Sequence, residues 1–255
     1  MPDFADSGTP LTADGLNEAS ASLNVAQAEL WSVISVETSG SGFLADRRPK
    51  ILFERHVFHR LTNGQFDADD PDISQPSAGG YGPGGSHQYD RLAAAIAFDR
   101  AAALQSASWG LGQVLGENFQ TAGFRDVEAM VQSMVASEDN QFAAMAAFMK
   151  SNGLDHPLRD HDWAGFARRY NGPNFAANNY DGLLADAFHR YSTGSLPDLR
   201  VRQVQVLLTY KGFSPGGIDG LAGRHTTDAI TAFQHSLGKP ETGVIDAALL
   251  ADLSA

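Results

Sequence analysis

The sequence predicts a mainly α-helical protein of two domains, the larger of which also contains a small β or loop element. Apolar residues recur at helical spacing along most of the chain. A long polar segment rich in Gly and Pro, residues 63–89, interrupts them. A shorter break precedes a new apolar pattern that begins at Val201. We therefore expect a larger domain at residues 1–191, a linker at 192–197 and a small domain at 198–255.

Composition supports two folded domains and excludes several classes of function. The chain has 255 residues, of which 43% are hydrophobic, enough for one medium core and one small core. The net charge of -12 argues against a nucleic-acid partner, because such binding needs clustered Lys and Arg. The absence of Cys excludes disulfides, thiolate zinc sites and cysteine nucleophiles.

The N-terminal residues bear on localisation. They have neither a basic region nor an apolar run, so they predict no secretory signal, and no later run predicts a membrane span. We expect synthesis in the cytoplasm, no stable membrane insertion and a monomeric protein.

The first hundred residues predict two helices close to the N-terminus. A weak apolar stripe follows Thr12. A stronger stripe follows Asn24, which is the predicted N-cap, with Gln27 at the capping-box position. The apolar face of this second helix continues to Glu37, and the Gly- and Ser-rich segment 38–42 ends it.

The segments that follow are less regular and then become helical again. Residues 51–58 are apolar and β-branched, which fits a strand, a helix start or a strand that turns into a helix. The segment 63–89 is long for a loop, so we expect it to border a cleft. Further helices, several with Asp, Asn or Ser at the cap, are predicted at 88–104, 126–136, 137–150, 160–170 and 178–191.

Glu37 is the first candidate for chemistry. It stands where the apolar stripe would place another hydrophobic residue, so its pKa is predicted to rise. A glycosidase needs such a protonated carboxylic acid, because the departing sugar oxygen must receive a proton. For an isolated glutamate at a helix end, however, an ion pair with Arg47, Arg48 or Arg55 is the more common interpretation.

Motifs elsewhere in the chain bear on this choice. The segments VETSGSGF (36–43), SWGLGQ (108–113) and RYNGP (169–173) occur in the order found in the lysozyme-like superfamily, which they resemble. The segment RPKILFERH (48–56) is similar to the N-acetylmuramidase family of many phage endolysins, and the resemblance spans about residues 25–191. It implies a lysozyme-like helical domain that cleaves the β-1,4 bond between N-acetylmuramic acid and N-acetylglucosamine.

The resemblance also implies roles for individual residues. Glu37 corresponds to the general acid, and the reaction needs water but no cofactor. Ser108 and Gln113 lie in the segment that lines the sugar cleft, where a Gln side chain supplies directional hydrogen bonds. Tyr170 and Asn171 belong to the third motif, although Tyr170 also lies on the apolar face of its helix and fits a core position.

A second carboxylate would help to define the mechanism. Glu54, Asp46 and Glu117 are nearest the motifs, and Glu54 is the first candidate because a helical interpretation places it beside Val57. A buried glutamate held by an arginine is an equally good interpretation of Glu54. Without a partner, Glu37 would act alone with assistance from the substrate.

Two groups of histidines could suggest a metal. His56 and His59 have i, i+3 spacing, and His and Asp residues crowd together at 156–162. Neither group completes a set of three ligands with a catalytic base, so we expect no metal site. The chain also lacks a Gly-x-Ser-x-Gly elbow and a Walker loop.

The C-terminal residues 198–255 carry a second pattern. Its motifs are Val204-Gln205, Gly212-Phe213, Gly217-Ile218-Asp219-Gly220, Phe233-Gln234 and Gly243-Val244-Ile245. This pattern resembles the three-helix peptidoglycan-binding domain of wall hydrolases. We expect Leu207 and Leu208 to meet Ile230 and Phe233 in a small core, and Asp219 to be structural within a tight turn.

The combined interpretation is a wall hydrolase whose partner is the glycan strand of peptidoglycan. The C-terminal domain would act as a tether, so its deletion should weaken wall association more than chemistry. A lytic transglycosylase that forms 1,6-anhydro products and a catalytically silent wall-binding protein are the alternatives. A phage lysin and a toxin delivered by a secretion machine both fit, and either would act on the cell wall after release.

Overall fold

The computed structural model describes residues 3–38, 40–170, 172 and 175–255. These residues form thirteen α-helices, two short 3-10 helices and a three-stranded antiparallel sheet, which confirms the predicted fold class. Within this part of the chain, no helix combines the length and the apolar character that crossing a bilayer requires. The helices of the larger domain are α1 (Ala13–Leu23), α2 (Gln27–Glu37), α3 (Arg55–Leu61), α4 (His87–Phe98), α5 (Arg100–Gln105), α6 (Val127–Met134), α7 (Glu138–Ser151), α8 (Asp155–Arg159), α9 (Trp163–Tyr170) and α10 (Tyr180–Thr193).

The beginning of α2 corrects one prediction. Thr12 caps α1 as its position suggests, since its side chain accepts a hydrogen bond from the amide of Gly15. Asn24, predicted as the N-cap of α2, instead ends α1 in the left-handed conformation with φ 53°, and α2 begins after Ala26. Asn is favoured at both kinds of position, because its side-chain oxygen can accept from the first amides of a helix and its short polar side chain tolerates the left-handed backbone that ends one.

Other predicted helices are divided. The stretch predicted as one helix at 88–104 is two, because Asp99 leaves helical geometry and caps α5 by accepting from the amide of Ala102. The segment 160–170 becomes helical only at Trp163. Residues 175–178 form a 3-10 turn before α10 begins at Tyr180. At Asp99 and Asp162, side chains that accept from helix amides start a new helix inside a stretch whose apolar periodicity looks continuous.

The small sheet is made of β1 (Ile51–Phe53), β2 (Ala107–Trp109) and β3 (Val114–Leu115), in that order. Segment 51–58 is therefore a strand that turns into a helix, the third of the predicted alternatives. Trp109 pairs with Ile51 and Val114 on the face that packs into the core. Ser108 pairs with Leu52 and Leu115 on the other face, because strand neighbours alternate sides.

The C-terminal unit has three helices, as predicted: α11 (Leu199–Tyr210), α12 (Arg224–Ser236) and α13 (Ala247–Ser254). Its small core includes the expected contacts of Leu207 and Leu208 with Ile230 and Phe233. Asp219 is structural, since its carboxylate accepts from the side chain of Gln205 and the amide of Leu221.

The C-terminal unit packs directly against the larger domain. Arg202 forms a buried ion pair with Glu138 across the boundary, with an N···O distance of 2.5 Å. The hydroxyl of Tyr210 donates to the carbonyl of Gly8 at 2.8 Å, and Arg47 lies over the Tyr210 ring. These polar contacts, which the sequence does not predict, hold the C-terminal unit against the larger domain. The linker is therefore not the only connection between the two units.

Candidate active site

A cleft of about 550 Å³ lies between the C-terminal end of α2, strand β1 and the glycine-rich turn after β2. We call it the Glu37 cleft. A larger cavity of about 790 Å³ lies between the N-terminal segment, α4 and α6, but it contains none of the predicted site residues. The Glu37 cleft is lined by Val36, Glu37, Thr38, Ser41, Leu44, Lys50, Ile51, Leu52, Gly85, Gly110, Leu111 and Gln113.

Glu37 is the last residue of α2 and is partly buried. The carbonyl end of a helix carries partial negative charge, which disfavours an ionised carboxylate beside it. Burial, followed by the nearby charge of Glu37, raises the pKa of Tyr170 well above its ordinary value and also raises the pKa of Tyr180. Two tyrosines therefore lie within electrostatic range of the Glu37 carboxylate.

The three arginines considered as ion-pair partners of Glu37 have contacts elsewhere. Arg48 pairs with Asp46, and Arg47 donates to the carbonyl of Ser7. The guanidinium of Arg55 lies against Gly80.

The turn after β2 is pressed closely against α7. Gly110 has a φ of +66°, and a Cβ added there would lie 2.5 Å from the side chain of Gln141. A Cβ on Gly112 would lie 2.6 Å from Met145. The side-chain oxygen of Gln141 accepts from the amide of Leu111 at 2.8 Å. Glycine is required here both for the backbone conformation and for close packing, and the result is a fixed wall of the cleft.

Gln113 closes this turn and lines the cleft. It adopts a left-handed backbone conformation with φ 45°. Its side-chain nitrogen donates to the carbonyl oxygens of Lys50 at 3.1 Å and Gly110 at 2.8 Å. An amide nitrogen has two N–H groups, so both are used in joining the turn to the segment before β1.

Tyr170 combines the two roles considered for it. Its ring stacks on Phe166 with centroids 5.4 Å apart, as expected for a core position. Its hydroxyl donates to the carbonyl of Gly112 at 2.7 Å. Tyr170 thus holds the glycine-rich turn that forms one wall of the cleft, without lining the cleft itself. Asn171, the other predicted residue of this motif, lies outside the described residues.

Removing the Tyr170 hydroxyl tests this support. Tyr170→Phe is expected to lower the free energy of unfolding by about 1–2 kcal/mol, because the Gly112 carbonyl loses its partner. It should also reduce cleavage of purified sacculi, because the Gly112 turn can then shift. Tyr191→Phe is the matched control, since Tyr191 also packs against the core of the larger domain, and its hydroxyl makes no hydrogen bond within the described part of the chain. Equal stability of Tyr170→Phe and wild type in urea unfolding would contradict the prediction.

Like Tyr170, two further predicted site residues, Ser108 and Glu54, do not line the cleft. Ser108 lies beside Leu52, which does, on the same face of the sheet. Glu54 follows β1 with 17% of its side chain exposed, 3.3 Å from His56. Burial, followed by the charge and hydrogen bond of Glu54, raises the pKa of Tyr81. Glu54 therefore lies beyond Leu52 on the same side of the sheet, near Tyr81 of the 63–89 segment.

The other candidate carboxylates are engaged elsewhere. Asp46 pairs with Arg48, and Glu117 pairs with Arg60. Among the described residues that line the cleft, Glu37 is the sole acid.

The histidines considered for metal binding contact single carboxylates. His59 lies 2.8 Å from Asp67, and the pKa of Asp67 is lowered by hydrogen bonds from Ser74 and His59. His161 lies 2.9 Å from Glu29. No group of three potential ligands occurs among residues 3–38, 40–170, 172 and 175–255.

Sequence reasoning missed Lys50 and Ser41 as cleft residues. Both stand in segments that carry the family resemblance, but the motifs alone indicate no role for these two residues. Burial lowers the pKa of Lys50, Arg202 lowers it further and Glu138 opposes the change. Lys50 therefore lies in the cleft within electrostatic range of Glu138 and Arg202.

These features define a class of protein. A glutamic acid at a helix end, in a cleft beside a small antiparallel sheet and a glycine-rich turn, can supply the proton that a departing sugar oxygen needs, which is the requirement of a lysozyme-type glycosidase.

Comparison with known proteins identifies the family. Residues 26–192 match the N-acetylmuramidase family and residues 198–253 match a peptidoglycan binding domain, so the chain belongs to the N-acetylmuramidase family. The crystal structure of Burkholderia AP3 phage endolysin is 39% identical, with a TM-score of 0.67 over 72% of this chain and 71% of that chain. A comparison with curated proteins gives no match. The protein is a peptidoglycan hydrolase of the lysozyme type.

Proposed function

We propose that the protein hydrolyses the β-1,4 bond between N-acetylmuramic acid and N-acetylglucosamine, with Glu37 as the general acid. The observation that carries this proposal is the placement of Glu37, which supplies the sole carboxyl among the described cleft residues. Its position at the negative end of α2 favours the protonated form that acid catalysis needs. Family membership and the endolysin neighbour support the same reaction class.

The reaction begins when Glu37 donates its proton to the glycosidic oxygen as the bond to the anomeric carbon breaks. Water then adds to that carbon and gives up a proton to the Glu37 carboxylate, which restores the acid for the next cycle. Because no second acid lines the described cleft, we propose that the N-acetyl group of the substrate assists this step. Glu54 remains the alternative second carboxylate, acting from the far end of the sheet face.

Substrate contacts are proposed for the remaining cleft residues. Both N–H groups of the Gln113 amide are used internally, so its side-chain oxygen is the atom that would accept from a sugar hydroxyl. Lys50 and Ser41 would contact the strand from the neighbouring wall. Ser108 would contact more distant sugar units along the sheet face that continues from Leu52. Asn171 is proposed as a further substrate contact on the family resemblance alone. The C-terminal unit would hold the strand, with residues 1–191 as the catalytic part.

A lytic transglycosylase is the second candidate, because that chemistry also proceeds with one acid. The two reactions differ in their products. Mass spectrometry of muropeptides released from purified sacculi is expected to show reducing ends, formed by addition of water. Products that are lighter by one water, with 1,6-anhydro ends, would reject hydrolysis in favour of the transglycosylase.

A further inference from the structure

Arg202 reaches from the C-terminal unit into the interior of the larger domain. It lies on α11, yet its side chain is only 1% exposed, and that of Glu138 at the start of α7 is 0% exposed. Its two terminal guanidinium nitrogens donate to the two carboxylate oxygens of Glu138, at 2.5 Å and 3.0 Å. Such a two-point contact fixes both position and orientation.

The same two side chains hold the segment 40–42, which follows Glu37 closely in the chain. Arg202 donates to the carbonyl of Gly40 at 2.8 Å. Glu138 accepts from the amide of Gly42, also at 2.8 Å. Ser41 between them lines the Glu37 cleft. Both ends of this piece of cleft wall are therefore held by the ion pair.

The connection continues to the opposite wall. The carbonyl of Gly42 accepts from the amide of Lys50 at 2.7 Å, and the carbonyl of Lys50 accepts from the side chain of Gln113. A Cβ on Gly42 would lie 1.8 Å from the side chain of Gln141, so this segment has no room to move inward. A displacement of segment 40–42 would be transmitted to residues on both sides of the cleft.

The ionised state of the buried Glu138 carboxylate depends on Arg202. Burial opposes ionisation of Glu138, but the charge and hydrogen bonds of Arg202, with the amides of Gly42 and Leu11, hold the pKa of Glu138 below its ordinary value. Without Arg202, this carboxylate would be an uncompensated buried charge. It could recover only by taking up a proton or by moving toward water, and either change would disturb its bond to Gly42.

We propose that Arg202 is a positioning residue for catalysis, through which the C-terminal unit holds the 40–42 wall of the Glu37 cleft in its working geometry. The inference rests on the proposed function of Glu37. It assigns the C-terminal unit a role in the chemical step in addition to wall binding. A simple attachment of the two units would instead make Arg202 equivalent to Tyr210, which also bonds across the boundary but at Gly8, outside the cleft.

The test compares full-length Arg202→Met, Arg202→Lys and Tyr210→Phe. The substrate is a soluble peptidoglycan tetrasaccharide, which tests the cleft without requiring attachment to sacculi, assayed well below each variant's unfolding temperature. Arg202→Met is expected to lower kcat on the order of 10- to 100-fold with little change in KM, because small displacements near reacting groups are costly. Arg202→Lys should restore only part of kcat, since lysine lacks the planar fork. Tyr210→Phe should retain wild-type kcat.

Hydrogen exchange gives a second readout that does not depend on activity. Peptides covering residues 38–44 should exchange faster in Arg202→Met than in wild type, and at the wild-type rate in Tyr210→Phe. If Arg202→Met proves too unstable, the double variant Arg202→Met/Glu138→Leu replaces it. This variant removes both buried charges and both hydrogen bonds to segment 40–42. This double variant should fold and still show low kcat and fast exchange.

The outcomes separate this proposal from the proposed function. Unchanged kcat and unchanged exchange in the folded Arg202 variants would overturn the positioning role, as would equal losses in Arg202→Met and Tyr210→Phe. Activity that survives Glu37→Gln would instead overturn the role of Glu37. In that case, exchange of residues 38–44 still decides whether Arg202 holds the segment.

Discussion

Glu37→Gln is expected to lower the rate of peptidoglycan cleavage by about 10²- to 10⁴-fold, the usual contribution of a general acid. The substitution keeps the size of the side chain but removes the proton that the leaving oxygen must receive. Because the C-terminal unit is unchanged, binding to the wall should be unchanged. Turbidity loss of purified sacculi measures the rate, and co-sedimentation with the same sacculi measures binding.

Glu128→Gln provides the matched control for this experiment. Glu128 lines the larger cavity on another side of the domain, pairs with Arg100 and has 42% of its side chain exposed. Its substitution should leave the rate unchanged. Glu54→Gln belongs in the same series, since a loss as large as that of Glu37→Gln would identify Glu54 as the second catalytic carboxylate. Full turbidity loss with Glu37→Gln would instead favour a catalytically silent wall-binding protein.

Glu138→Leu is expected to cause the largest loss of stability, about 3–5 kcal/mol in the free energy of unfolding. The substitution leaves the Arg202 guanidinium buried without its counter-charge. It also removes the acceptor of the amides of Leu11 and Gly42, each bonded at 2.8 Å. Urea unfolding of the full chain, followed by circular dichroism, measures the change.

Glu117→Leu is the control for this prediction. Glu117 also forms a 2.5 Å ion pair, but its partner Arg60 is 55% exposed, so the loss should be below about 1 kcal/mol. The contribution of Glu138 should also depend on pH. Because its pKa is lowered in the folded state, its stabilising effect is complete above the ordinary value of 4.5 and is lost as the pH falls through the lowered value. The difference between wild type and Glu138→Leu should therefore narrow in acid, and a constant difference would contradict the ion-pair account.

The helices could largely be predicted from the sequence, because periodicity and capping are local. Thr12, Asp126 and Ser137 each cap a helix where the pattern places one. The errors have the same local origin. Asn24 suits either end of a helix, and the apolar pattern around Asp99 runs through a residue that adopts extended backbone.

The candidate site was predicted less completely than the fold. Glu37 and Gln113 line one cleft as expected, but Ser108 stands beside it. No local pattern could have paired Arg202 with Glu138, because 64 residues separate them and each resembles an ordinary charged residue on a helix. Long-range pairing of this kind depends on how the helices pack, which periodicity does not encode.

The buried ion pair across the boundary also limits how this enzyme can be redesigned by exchanging its wall-binding module. Such exchanges assume that catalytic and binding modules fold and work independently. Here a replacement module without an arginine at the position of Arg202 would leave the Glu138 carboxylate without its ion-pair partner. That carboxylate would then be either buried and uncompensated or newly exposed to water at the edge of the cleft. A chimaera should therefore recover full activity only if the new module supplies that guanidinium.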